Sequence, residues 1–166
     1  MRSVALAFLV ATIPAMAGQP ASCEKWTLAG YSIGMTKTEA EAVRGGKWTT
    51  NYGFKELRAR VDDRTRVSVW IDPNGNVSRV FLQEKRPPAS IKLRLIRRFG
   101  PPLADALPVG VEFIPFVGHG RMMDSLWEAP ECSTALVFRI VMASTSDEIA
   151  WDDSGVFLSW YDPSLQ

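Results

Sequence analysis

Apolar residues in this chain first gather in one run and afterwards alternate with polar ones. Val4 to Ile13 is apolar apart from Thr12. Beyond it, Leu57, Ala59 and Val61 alternate with Arg58 and Arg60 across Phe54–Val61. Val67, Val69 and Ile71 alternate with Ser68 and Trp70 across Arg66–Ile71. A period of two sends successive side chains to opposite faces, so both segments are predicted as half-buried strands. Asp72-Pro73-Asn74-Gly75 is a turn signal, because Pro73 presets the first corner and Gly75 tolerates positive φ. Asn76–Glu84 is then the returning strand of a hairpin. Further on, Leu136, Phe138, Ile140 and Met142 share a face of Ala135–Met142. Arg121–Trp127 and Gly155–Tyr161 also read as strands.

Two segments carry helical spacing instead. Thr36-Lys37-Thr38-Glu39 has the form of a capping box, in which the Thr36 hydroxyl accepts from Glu39 N–H and the Glu39 carboxylate reaches back to Thr36 N–H. Ala40, Ala42 and Val43 follow, and Gly45-Gly46 stops the helix. Pro87-Pro88 opens a second helix through Arg98. Its apolar stripe is Ile91, Leu95 and Phe99, widened by Ile96, and Gly100-Pro101-Pro102 ends it. The stretch after that stop reads as a loop. The order is helix, three strands, helix, three or four strands. Helices and strands do not alternate singly, so the expected class is α+β: an antiparallel sheet with two main helices on one face, its two halves looking like tandem, diverged copies of one helix-plus-strands unit.

The N-terminal run has its own meaning. Arg2, the apolar stretch and Ala15-Met16-Ala17 are the three parts of a secretory signal peptide over residues 1–17. The run is too short to span a bilayer, which needs about 20 residues. The expected mature chain is residues 18–166, one domain able to bury about two-thirds of its unfolded surface without a metal or cofactor. Nineteen Lys and Arg stand against eighteen Asp and Glu. Loss of Arg2 with the leader balances them, which argues against nucleic acid as a partner. The expected location is periplasmic or secreted.

Export also bears on Cys23 and Cys132, the two cysteines of the chain. In an oxidising compartment the simplest expectation is one disulfide between them; the alternative is two free buried thiols. Cys23 has a second alternative as a lipidated N-terminus. Pro20-Ala21-Ser22 precedes it, with proline where a lipoprotein signal has an aliphatic residue.

Two stretches resemble a known family. Tyr31-Ser32-Ile33-Gly34-Met35-Thr36-Lys37-Thr38-Glu39-Ala40 is similar to the Gly-Met-Thr helix opening of small exported α/β proteins. These are the beta-lactamase inhibitor protein-like domains and the outer-membrane assembly lipoproteins of the SmpA/OmlA type. Arg98-Phe99-Gly100-Pro101-Pro102 resembles the aromatic-Gly-x-Pro ending of helices in that group. The resemblance implies a binding scaffold rather than an enzyme.

Reactive chemistry is sparse. His119, in Gly118-His119-Gly120, is the one histidine, and no Gly-x-Ser-x-Gly elbow accompanies it. Its glycines suggest an exposed loop tip. A zinc site wants three or four ligands, which one histidine and two paired cysteines do not supply. Asp72 to Asn76 lacks the glycine and glutamate positions of a calcium loop, since Gln83 stands where the glutamate belongs. Asp147, Glu148, Asp152 and Asp153 read as a solvated loop rather than a paired-carboxylate site. Gly45-Gly46-Lys47 lacks the spacing of a phosphate loop. No cofactor, metal or catalytic residue is expected.

Two features point to binding instead. Lys85, Arg86, Lys92, Arg94, Arg97 and Arg98 form an acid-free basic stretch, with Arg94, Arg97 and Arg98 off the apolar stripe of the second helix. Of Trp26, Trp48, Trp70, Trp127, Trp151 and Trp160, most suit a core, but Trp70 sits opposite Val69 and Ile71, on the other face of its strand. The leading expectation is a non-enzymatic protein-binding or inhibitor-like scaffold. It would use Trp70, Arg94, Arg97 and Arg98 to bind a protein or an anionic envelope component. The alternatives are a small periplasmic hydrolase pairing His119 with a carboxylate, and an envelope-associated structural protein.

Overall fold

A computed structural model describes residues 23–51, 53–114, 118–143, 148–151 and 154–161. Of 51, 106–114, 118–120 and 143 it describes the backbone alone. The elements are α1 (Lys37–Arg44), β1 (Trp48–Asn51), β2 (Phe54–Asp62), β3 (Thr65–Ile71), β4 (Val77–Glu84), α2 (Pro88–Phe99), β5 (Ala104–Ile114), β6 (Gly118–Ala129), β7 (Thr134–Ala143) and β8 (Gly155–Trp160). The strands form one antiparallel sheet in the order β1-β2-β3-β4-β8-β7-β6-β5. The fold is therefore α+β with an antiparallel sheet, as the sequence pattern predicts.

The strand order is unchanged when each strand of one half is exchanged for its counterpart in the other. Each half is a helix followed by a four-stranded meander, and β4 meets β8 at the centre. Both central strands carry Val-Phe-Leu: Val80 pairs with Leu158, Phe81 with Phe157 and Leu82 with Val156. A local two-fold therefore passes between Phe81 and Phe157. Their rings stack with centroids 4.4 Å apart and planes 18° apart.

Register decides which residues share a face. Leu57, Val69, Val80, Leu158, Leu136 and Trp127 are successive cross-strand neighbours, and all are buried. They form one core with Ala40 of α1, Ile91 and Leu95 of α2, and Trp26, Leu28, Tyr31 and Ile33 of the N-terminal segment. Both helices thus lie on this face. The capping box forms as the sequence predicts: Thr36 N–H donates to Glu39 Oε2 at 2.7 Å and Glu39 N–H to Thr36 Oγ1 at 3.3 Å. Lys37 N–H donates to the Gly75 carbonyl and Val77 N–H to that of Met35, so the start of α1 is fixed to the β3–β4 turn.

The disulfide joins Cys23 to Cys132 with Cα atoms 5.5 Å apart. It ties the N-terminal segment to the turn before β7. Trp26 stacks near Phe99 at 4.9 Å. Trp127 Nε1 donates to the Gly100 carbonyl and anchors the glycine-proline end of α2. No described helix is long and apolar enough to cross a membrane. Residues 1–17, the expected leader, lie outside the described residues.

The structure corrects three sequence expectations. Residues 104–114, read as loop, form β5, and Trp48–Asn51 forms β1; these are the two edges of the sheet. Gly118-His119-Gly120 is not a loop tip: it opens β6, where His119 lies opposite Phe113. Glycines are tolerated there because the position sits at the end of a hairpin, where cross-strand packing is least demanding. Trp160, grouped with core residues by composition, is 47% exposed.

Candidate functional site

Among the described residues, no layer packs over most of the face away from the helices. Cross-strand pairing places Glu56, Trp70, Arg79 and Ser159 in one row of it. Arg58, Ser68, Phe81, Phe157, Val137 and Leu126 form the next. A third row contains Arg60, Arg66 and Gln83. The β2–β4 part forms a depression of ≈ 620 Å³ whose lining includes Arg58, Arg60, Arg66, Trp70, Phe81 and Gln83.

The two halves of this face differ electrostatically. On the β2–β4 side, Arg58, Arg60, Arg66 and Arg79 are all exposed. Arg58 Nε donates to Glu56 Oε1 at 2.8 Å, and this ion pair, the guanidinium hydrogen bond foremost, raises the Arg58 pKa. Glu56 is 1% exposed, so its charge is buried beneath the arginine and Trp70 is its cross-strand neighbour. Arg60 and Arg66 face each other directly across β2 and β3. Neither makes a hydrogen bond or ion pair among the described residues. On the other side the one arginine is neutralised: Arg139 donates to both carboxylate oxygens of Asp124, at 2.9 and 2.6 Å, and lies 5.7 Å from the Phe157 ring centre. The segment before β8 covers the far end of this half. Ala150 packs on Met122 and Val141, and Gln83 Nε2 donates to the Trp151 carbonyl at 2.8 Å.

No protein-family model matches the chain. No curated protein matches it. Among solved structures, a DUF4309 family protein (YjgB) from Bacillus subtilis subsp. subtilis str. 168 is similar at 15% identity with a TM-score of 0.42, over 75% of this chain and 78% of that one.

The residues singled out from sequence fall in different places. Trp70 is on the open face, half-buried, within the depression. The helix arginines divide. Arg94 pairs with the buried carboxylate of Glu84, which Arg86 also approaches at 3.5 Å. Arg98 donates to the Lys25 carbonyl and the Thr27 hydroxyl, both at 2.7 Å; burial, then repulsion from Arg94, lowers its pKa. Arg97 alone stays exposed with no polar contact among the described residues. The α2 arginines therefore do not form one free cationic surface with Trp70; two of them hold the fold together on the opposite side of the sheet.

Of the acidic cluster, Asp147, Asp152 and Asp153 lie outside the described residues, and Glu148 is exposed. His119 is described by its backbone, not its side chain. Sequence reasoning missed Arg58, Arg60 and Arg66 as site residues, although the first two were seen alternating with Leu57, Ala59 and Val61. The signal was present: arginine at two successive open-face positions of β2, Arg58 and Arg60, and again near the start of β3 at Arg66.

Proposed function

We propose that this protein is an exported, non-enzymatic scaffold that binds another protein through the open face of its sheet. The observation that carries the reading is the group of half-buried aromatics in two adjacent rows of a rigid sheet face, Trp70 in one and Phe81 and Phe157 in the next, with Trp70 and Phe81 lining a depression of ≈ 620 Å³. Aromatic side chains held in place lose little entropy on contact and are the anchors protein interfaces favour. Export is supported by the leader pattern and by the disulfide, which persists in oxidising compartments. The Gly34-Met35-Thr36 opening, with its resemblance to beta-lactamase inhibitor protein-like domains, supports an inhibitor-like role within the same reading.

The test places a photo-crosslinking residue at Ser68, on the open face, or at Ala42, exposed on α1. The protein is expressed in its native envelope. A discrete adduct from Ser68 and none from Ala42 is the expected result. Adducts from Ala42 alone, or from neither position, would refute the reading. Mass spectrometry of the mature protein is expected to find Gly18 at its N-terminus; an acylated Cys23 would replace the free scaffold by an anchored one.

A further inference from the structure

The open face is polarised, and the polarity specifies a partner. Arg60 and Arg66 are cross-strand partners, so their Cβ atoms stand about 5 Å apart. Like charges in that position destabilise a sheet by a fraction of a kcal/mol. No described carboxylate approaches either guanidinium, whereas Arg58 takes Glu56, Arg139 takes Asp124 and Arg94 takes Glu84. Among the described residues, this face thus pairs Arg58 and Arg139 and leaves Arg60, Arg66 and Arg79 without a partner, the first two directly opposed in a depression.

The row next to Arg60 and Arg66 becomes apolar toward the second half, at Phe81, Phe157, Val137 and Leu126, all half-buried. From β3 to β7 is three strand spacings, about 14 Å. An extended peptide covers that in about four residues. A bare anion would use only the arginine end, and an apolar ligand only the other.

Resting on the binding-scaffold reading, we infer that the partner presents an extended acidic–apolar segment. One or two of its carboxylates would seat between Arg60 and Arg66, and apolar side chains about four residues further on would lie over Phe157 and Val137. Each guanidinium can give a carboxylate two parallel N–H donors, and one carboxylate between both relieves their mutual repulsion. Trp70 and Phe81 line the same depression.

The experiment is an NMR titration of the disulfide-bonded protein with the peptide acetyl-Glu-Glu-Ser-Thr-Ser-Phe-Leu-amide. Its controls are the same peptide with both glutamates changed to glutamine, inorganic phosphate, and phosphatidylglycerol vesicles. The expected result is a shift of the Arg60 and Arg66 Nε–H signals together with the Phe157 and Val137 amides. Binding should weaken at least tenfold with the glutamine peptide and at least tenfold in Arg60→Glu/Arg66→Glu. Arg97→Glu should change nothing. Arg60→Gln/Arg66→Gln provides a second variant should the charge reversal fail to fold.

Equal binding of both peptides on the open face would overturn the acidic-partner inference while leaving the docking face standing. Phosphate reproducing the arginine shifts at equal affinity, vesicles bound through Arg60 and Arg66, or self-association lost in the same variants would also overturn it. The Ser68 crosslink separately decides whether the face docks a protein at all.

Discussion

Replacing Gly155 by alanine tests the centre of the sheet. Gly155 begins β8 and is buried; Arg139 is its partner on β7. A Cβ at this position would lie 2.6 Å from the Leu82 carbonyl oxygen and 2.9 Å from Phe81 Cζ, with Phe81 Cε2 closer still. Real Cβ atoms essentially never come within 3.0 Å of another group. Gly155 does not have a positive φ, so space alone forbids the methyl. The two obstacles differ in kind. The Phe81 ring can turn away if it gives up its stack on Phe157, whereas the Leu82 carbonyl belongs to a strand held in register by the Leu82–Val156 pairing. Overpacking of this sort costs about 1–3 kcal/mol, and a lost aromatic pair about 0.5–1.5 kcal/mol. Gly155→Ala is therefore expected to lose about 2–4 kcal/mol in urea unfolding at unchanged m, and about 5–15 °C in thermal midpoint. Adding Phe81→Ala should relieve the ring clash but not the carbonyl one, giving a coupling of about 0.5–3 kcal/mol in the double-mutant cycle. A Gly155→Ala protein within about 0.5 kcal/mol of wild type, the size of an ordinary surface change, would refute this account of the centre.

Four other outcomes are expected. Cys23→Ser/Cys132→Ser should lose about 4–5 kcal/mol in urea unfolding, because the bridge spans 109 residues and constrains the unfolded chain accordingly; an unchanged midpoint would count against the bridge. Arg94→Ala leaves the buried Glu84 carboxylate with Arg86 alone and should cost about 1–3 kcal/mol by the same measurement, since Arg94 is itself half-exposed. Arg98→Ala should cost about 1 kcal/mol and speed amide exchange over residues 23–31, while Arg97→Ala stays within about 0.5 kcal/mol; equal effects would mean Arg98 does not hold that segment. Acid should weaken the turn and cap carboxylates: bonds from the Thr36 hydroxyl and backbone N–H hold Glu39 below 4.5, and bonds from the Arg64 N–H, the Thr65 hydroxyl and Arg86 hold Asp62 below 3.8. Because both folded values are depressed, their stabilisation is present above the unfolded values and is lost as pH falls through the folded ones. Glu39→Gln and Asp62→Asn should each flatten the dependence of the urea midpoint on pH between about 5 and 3.

What the sequence made legible follows from burial. β2, β3, β4, β7 and β8 bury one face against the helices, and that one-sided burial imposes a period of two that can be read residue by residue. The edges carry no such imprint. β1 has four residues, two of them exposed threonines. β5 contains Pro108 and Gly110 and slips register between Ala104 and Leu107 and again between Val109 and Val111. A strand bonded on one side only accommodates proline and bulges, and these interruptions break the alternation that would announce it. The capping box and the helix stops were legible because their chemistry is local to four residues.

The site was legible in part for the same reason. Alternation alone sent Trp70 away from Val69 and Ile71. That Arg60 faces Arg66 depends on the register of β2 against β3, which shifts between Arg60 and Asp62 and cannot be read from either strand. Periodicity likewise put Arg94 and Arg98 off the apolar stripe of α2. It could not reveal that the chain from Lys25 to Thr27 passes beside Arg98, or that Glu84 at the end of β4 waits for Arg94.

The tandem organisation explains why an open face exists. A two-fold perpendicular to a sheet carries each face onto itself. Two helix-plus-meander units joined through β4 and β8 must therefore place both helices on the same side. The helices span 8 and 12 residues and fill that side together with the N-terminal segment. Among the described residues the repeat supplies no second layer for the other side; there the axis residues Phe81 and Phe157 stack on each other, and Arg139 lies over Phe157. Antiparallel sheets tolerate a solvated face when it is polar, and here the polar groups lie mainly in the first half. The right-handed twist between adjacent strands, about 20–25° at each step, turns eight strands into a saddle rather than a plane. Symmetry thus accounts for the aromatic centre and the curvature. It does not account for the arginines, because Ala135 on β7 occupies the position equivalent to Arg66 on β3. The cationic end is where this chain departs from its own repeat, and a departure that sets two arginines against each other is better explained by a bound anion than by the stability of the sheet.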